Sequence, residues 1–263
     1  MPTGIRGQTR WIGSLRVDIL DISNILMNLL KCLTNSREGA MMRPRILFVD
    51  RADAGRQLAA ALSLQPIDDP IVLAVPRGGV AVAVEVAQAL GAKLDLLFVR
   101  KIGAPQNREV AIGAIAGSDA PQLVLNEELV AACGASRAYI EAEATRQKDE
   151  IARQRKRYLS GRQPVDLKMR NVIVVDDGVA TGATLAAGLK ALRLQSVAST
   201  TLAIPVAPPE ALEALGAEVD RIVCLHEPDD FCAVGLCYRD FPQVSDAEVM
   251  QALVAPGGAT GGP

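Results

Sequence analysis

Apolar and polar residues alternate along this chain in blocks rather than position by position. Short apolar, β-branched runs, "RILFV", "IVLAVP", "LDLLFV", "NVIVV", "VASTTLAIPV" and "RIVCL", are separated by Ala- and Leu-rich stretches with helical spacing. The clearest of these helical stretches run from Ala52 to Leu64, Val80 to Leu90, Ala183 to Leu194 and Pro209 to Leu215. A strand that is apolar on both faces needs cover on both faces, which a parallel sheet between two layers of helices supplies. The expected fold class is therefore α/β, with a central, mainly parallel sheet and helices on both faces.

A further helix is expected between Ser136 and Arg162, highly charged and ending in "RQRKRY". A basic last turn suits the negative end of a helix dipole, and a role in steering phosphate is the functional alternative. The ends of the chain differ from its middle. In residues 1–41 the helical pattern of Ile22, Ile25, Leu26, Leu29, Leu30 and Leu33 is broken by Asp18, Asp21, Asn24 and Asn28, too early for a membrane span. That segment reads as an extension, helical or disordered, or as a helix for self-association. Residues 42–254 form the expected domain, and the Gly-rich 255–263 reads as a disordered tail.

Composition narrows the function. Of 263 residues, 28 are Lys or Arg and 30 are Asp or Glu, a balance that argues against a dedicated nucleic-acid binder. The five scattered cysteines do not resemble a secreted disulfide framework, so a reducing, cytoplasmic setting is expected. Cys224, His226, Cys232 and Cys237 could supply four zinc ligands, but they lack paired C-x-x-C knuckles, and buried thiols are the favoured reading.

The most informative stretch is "NVIVVDDGVATGAT", Asn171 to Thr184. It follows a central strand, at the end where open α/β sheets bind ligands. Its small residues let a ligand approach the backbone, Thr181 and Thr184 add hydroxyls, and a helix start near Ala183 presents free N–H groups to an anion. Asp176 and Asp177 at the lip suit either sugar hydroxyls or hydrated Mg²⁺. Neither a Gly-Lys-Ser/Thr loop nor a G-x-G-x-x-G turn is present, which sets aside two common nucleotide sites.

The stretch "VVDDGVATGAT" resembles the signature of the type I phosphoribosyltransferases. "FVDRADAG" and "FCAVGLCYRDFPQVSDAEV" look like the stand-alone bacterial "predicted phosphoribosyltransferase" branch of that superfamily. The resemblance implies a substrate, phosphoribosyl pyrophosphate (PRPP), a Mg²⁺ cofactor, a mobile loop and a small hood. By it, Asp176 and Asp177 hold the ribose hydroxyls and, through water, the Mg²⁺, while Gly178, Val179, Ala180, Thr181, Gly182, Ala183 and Thr184 wrap the 5-phosphate. "VPRGGV" would bind pyrophosphate through Arg77, Gly78 and Gly79, with a non-proline cis peptide at Pro76–Arg77. "VRKIGAPQNREVAIGAIA" would be the mobile loop, with Arg100 and Lys101 facing the pyrophosphate.

On this resemblance the catalytic set is Asp176, Asp177, Arg77 and Lys101, and the acceptor is a small nitrogenous molecule. Phe231 or Tyr238 could stack on a planar acceptor. Ala180 stands where enzymes acting on 6-oxopurines carry an acidic residue that exchanges a proton with the base, and Glu109 is the alternative base. No nucleic-acid or membrane partner is expected, and a homodimer is left open. The competing class is a non-catalytic, PRPP-binding regulatory protein of the same fold.

Overall fold

The computed structural model describes residues 46–108, 110–117, 121–162 and 165–254. The expectations for residues 1–41, 255–263 and Glu109 lie outside the described residues. The first described helix is α1 (Arg51–Ser63), followed by β1 (Ile71–Ala74), α2 (Gly78–Leu90), β2 (Lys93–Leu96) and β3 (Phe98–Gly103). Next come β4 (Ala111–Gly117), β5 (Gln122–Leu125), α3 (Glu127–Ala132) and α4 (Arg137–Tyr158). The last elements are β6 (Asn171–Val175), α5 (Ala183–Arg193), β7 (Ser199–Val206), α6 (Pro209–Gly216), β8 (Arg221–His226), a 3₁₀ turn at Val234–Cys237 and α7 (Asp246–Val254).

Five strands form the central sheet in the order β2-β1-β6-β7-β8, and every pairing in it is parallel. Successive side chains of a strand point to opposite faces, and the burial follows that rule. Val72, Ala74, Ile173 and Val175 meet Val80, Val82 and Val86 of α2 on one face. Ile71, Leu73, Val172 and Val174 meet Leu185, Leu189 and Leu192 of α5 on the other. Each such buried aliphatic side chain contributes about 1.5–3 kcal/mol, more than helix propensity supplies per residue, so packing on the sheet holds these helices.

The connections set the position of the site. From β1 the chain crosses through α2 to β2 at one edge, whereas from β6 it crosses through α5 to β7 on the other side. Neighbouring strands β1 and β6 thus send their loops to opposite faces, opening a crevice at their carboxyl ends.

Three expectations need correction. Among the described residues "RILFV" forms no sheet strand: Phe48 makes an isolated parallel bridge to Tyr238, outside the named strands. "LDLLFV" is two strands in two sheets, because the chain turns at Leu97, whose N–H donates to Ala74 O at 2.9 Å. Most of Val99 to Ala116 is no loop: β3, β4 and β5 form an antiparallel sheet, leaving only 104–110 as the connection between β3 and β4. Among the described residues no helix is long and apolar enough to cross a membrane.

Candidate functional site

Two loops meet in the crevice. After β1, Val75 N–H donates to Val175 O at 2.9 Å, which carries the parallel pairing one step further and fixes Pro76 and Arg77 beside Asp176. The Pro76–Arg77 peptide is cis, as the family resemblance implies. α2 begins two residues earlier than its apolar pattern suggests, so Gly78 and Gly79 belong to its first turn, where backbone N–H groups have no partner within the helix.

These glycines are required by proximity. A Cβ on Gly78 would lie 2.0 Å from Asp177 Oδ2, and one on Gly79 would lie 2.7 Å from Val175 O. The α2 N-terminus therefore touches the aspartate pair directly. From the other side Gly182, at φ 74°, turns the chain into α5. Val179 is anchored by its N–H to Val206 O at 3.0 Å and buried, while Ala180, Thr181, Ala183 and Thr184 are exposed in front of the helix N-terminus. The arrangement is a cup of small residues and free amides facing solvent, suited to an anion.

The carboxylates are not equivalent. Asp176 Oδ1 accepts the N–H of Asp177 at 2.8 Å. Asp177 Oδ2 accepts Arg51 Nε–H at 2.7 Å, and the Asp177 carbonyl accepts the hydroxyl of Tyr238 at 2.6 Å. Burial, followed by the neighbouring Asp177 charge, pushes the Asp176 carboxyl well above the usual carboxylate range. Burial also raises Asp177, opposed by its hydrogen bond and charge contact with Arg51.

A cavity of about 400 Å³ opens at the end of β1, lined by Arg77, Arg100, Arg157, Tyr158 and Asp246 among others. Arg77 Nη1 lies 3.6 Å from Asp246 Oδ1, Tyr158 donates its hydroxyl to the same oxygen at 2.5 Å, and Arg157 pairs with Asp246 Oδ2. Arg100 Nη2 lies 3.3 Å from Glu150 Oε1. Three guanidinium groups from three separate elements thus ring one cavity, next to Pro76.

Some expected residues are not brought there. Arg100 and Lys101 are consecutive on β3 and face opposite ways, so Arg100 lines the cavity and Lys101 does not. Phe231 and Tyr238 are 7% and 4% exposed, packed with Phe48 and Val206, so neither offers a face for stacking. Their aromatic clustering is core packing under the aspartates. The Cys224 thiol donates to His226 O at 3.2 Å, and burial pushes it up to about 11. Among the described residues no group of three or more His, Cys, Asp or Glu is placed to hold a metal ion.

Arg51, Arg157 and Asp246 are the residues that sequence reading missed. Arg157 lies within the basic run "RQRKRY", Arg51 within "FVDRADAG" and Asp246 within "FCAVGLCYRDFPQVSDAEV", all conspicuous as segments, but nothing local singles out the residue in any of them.

Comparison with known proteins supports the same reading of the fold. The chain is 42% identical over 207 residues to the "Putative phosphoribosyl transferase Rv0571c" of Mycobacterium tuberculosis H37Rv, covering 79% of this chain and 46% of that protein. The corresponding protein of strain CDC 1551 gives the same figures. The chain therefore spans about half the length of the curated relatives it matches. The crystal structure of TT1426 from Thermus thermophilus is 44% identical, covering 79% of this chain and 97% of that one, with a TM-score of 0.71. The family model for the phosphoribosyl transferase domain matches residues 49–240. With a parallel α/β sheet, an acidic pair at its switch point and these relatives, the chain belongs to the phosphoribosyl transferase domain family.

Proposed function

We propose that this chain transfers the 5-phosphoribosyl group of PRPP to a small nitrogenous acceptor, with Mg²⁺ and release of pyrophosphate. The observation that carries the reading is the direct contact between the α2 N-terminus and the Asp176–Asp177 pair, with the α5 N-terminus following the pair in the chain; it supports a sugar edge flanked by two anion sites. Ribose hydroxyls would face Asp176 and Asp177, the 5-phosphate the amides of 178–184, and the pyrophosphate Arg77 and the cavity beyond it.

In the reaction the bond from the anomeric carbon to pyrophosphate oxygen breaks and a bond to the acceptor nitrogen forms. The nitrogen's proton passes to solvent or to a base on the acceptor side. Charge accumulates on the leaving group, where Arg77, Arg100 and Arg157 stand, and positive character grows on the ribose, beside the carboxylates. The donor set fits a hard cation held chiefly by water and substrate oxygens: Asp176 and Asp177 are the carboxylates at this edge among the described residues, and one oxygen of each is already engaged. Bound Mg²⁺ would supply neutralisation of the pyrophosphate charge; Asp176 and Asp177 are the residues that would hold it.

Pyrophosphate release from PRPP and Mg²⁺ should depend on one class in a panel of purines, pyrimidines and simple amines. Tight PRPP binding without release would instead assign the regulatory class. Hypoxanthine and guanine should be poor acceptors, because Ala180 cannot exchange a proton with a 6-oxopurine; rapid nucleotide formation from either would refute that. Arg157→Ala should weaken pyrophosphate inhibition by about two- to fivefold, the modest effect of an exposed ion-pairing group, and the difference should shrink with added salt.

A further inference from the structure

The motif "FVDRADAG", Phe48 to Gly55, is left without a role by the phosphoribosyl reading. Its parts fit together physically. Asp50 caps α1, its Oδ1 accepting the N–H of Asp53 at 2.8 Å, while Asp53 Oδ2 accepts the N–H of Val49 at 2.9 Å. This reciprocal pair fixes the entry of the helix. Ala54 is fully buried, and Gly55 lets α1 lie directly on α2, since a Cβ there would be 2.7 Å from Val82 O. The motif therefore locks the first turn of α1 against the helix that carries Gly78 and Gly79.

What that turn presents is Arg51. A cation in the first turn is opposed by the helix dipole, and a guanidinium that is only 9% exposed must be paired to be tolerated. Helix formation does not explain Arg51; its partners do. Nε–H donates to Asp177 Oδ2 at 2.7 Å, Nη1 donates to Pro242 O at 2.8 Å, and Cζ lies 3.7 Å over the ring of Phe241. With the Tyr238 hydroxyl on the Asp177 carbonyl, both the side chain and the backbone of this aspartate are tied to the 238–242 segment.

We propose that Arg51 is a positioning residue: by holding one oxygen of Asp177 it fixes the plane of the carboxylate and so sets the acceptor geometry met by a ribose hydroxyl of the phosphoribosyl donor. The inference rests on the donor assignment above. Arg51 acts through Asp177, saving the donor the entropy of ordering a mobile carboxylate. Lysine cannot reproduce the fork that reaches Asp177 and Pro242 together.

The test compares wild type, Arg51→Met, Arg51→Lys and Asp177→Asn in steady-state kinetics and calorimetric PRPP binding, with thermal unfolding alongside. Arg51→Met should raise the donor KM about tenfold, the scale on which lost supporting partners act, with kcat changed much less. Arg51→Lys should recover part of that loss, leaving a donor KM about threefold above wild type. In the Arg51→Met/Asp177→Asn double variant the effects should fail to add. An Arg51→Met protein that is less stable but binds PRPP like wild type overturns the proposal and leaves Arg51 a structural residue. Should Arg51→Met not fold, an Arg51→Lys donor KM equal to wild type overturns it as well. Wild-type protein that does not bind PRPP at all is a different result, and overturns the donor assignment itself.

Discussion

Replacing Gly78 by alanine should lower turnover of the phosphoribosyl donor by about a hundredfold, the scale of loss when reacting groups are displaced by about 1 Å. The added Cβ would stand 2.0 Å from Asp177 Oδ2 and 2.6 Å from its Cγ, so one of the two loops must move. Neither can move cheaply. Asp177 is held at 2.7 Å by Arg51, and α2 is seated on the sheet by Val80, Val82 and Val86, each no more than 1% exposed. The displacement therefore falls on the carboxylate or on the α2 amides, the two parts of the proposed donor site. Gly79→Ala should behave similarly, because its Cβ would meet backbone, 2.7 Å from Val175 O and 2.8 Å from Asp176 Cα. Gly216→Ala is the control: its Cβ would meet only Ile222 Cδ1 at 4.0 Å, and activity should be unchanged. Kinetics and PRPP calorimetry on the three proteins check this. A Gly78→Ala enzyme as active as the control would mean that donor binding does not use the contact between the loops.

The parallel sheet was legible because continuous apolar runs such as "VIVV" carry information on both faces at once, and the acidic loop was legible because strand, carboxylates and small residues are consecutive. "AIGAIA" falls within the polar, Gly- and Pro-containing stretch Val99 to Ala116, whose resemblance is to a mobile loop. In the fold it belongs to β4, between β3 and β5. The arginine cavity was only partly legible. Arg77 and Arg100 follow the recognisable apolar runs "IVLAVP" and "LDLLFV", whereas Arg157 reaches the site from α4, and Asp246 joins it from α7 at the other end of the domain. Arg51 is 126 residues from Asp177. No spacing rule links such residues; only the β1–β6 neighbour relation and the lie of α1 on α2 bring them together. The expectation for Phe231 and Tyr238 failed because aromatic clustering in sequence does not distinguish a wall facing a ligand from a core under it.

Asp176→Asn should raise stability at neutral pH while removing most of the activity. Asp176 is half-buried beside a second carboxylate, and burial with the Asp177 charge holds its pKa well above that of an ordinary aspartate. The sign follows from proton linkage. Between the ordinary aspartate value of about 3.9 and the raised folded value, the folded protein binds more protons than the unfolded chain, so its stability falls as pH rises through that window. Above the window the ionised carboxylate is carried at full cost. Asparagine keeps an oxygen for the Asp177 N–H, which Asp176 Oδ1 accepts at 2.8 Å, and removes the charge. The expected gain is about 1 kcal/mol, or about 2–4 °C in Tm for a domain of this size, measured without divalent cations. Wild type should lose stability as pH rises above the ordinary carboxylate range, and the variant's pH–stability curve should lack that decline. On the proposed reaction, activity should fall by about a hundredfold or more, since the lost charge is the one assigned to the ribose as positive character develops. A variant that gained neither stability nor a flatter pH profile would mean that Asp176 is not held at an electrostatic cost in the folded protein. Gain of stability with loss of turnover would mark the aspartate pair as a place where the fold gives up stability for function.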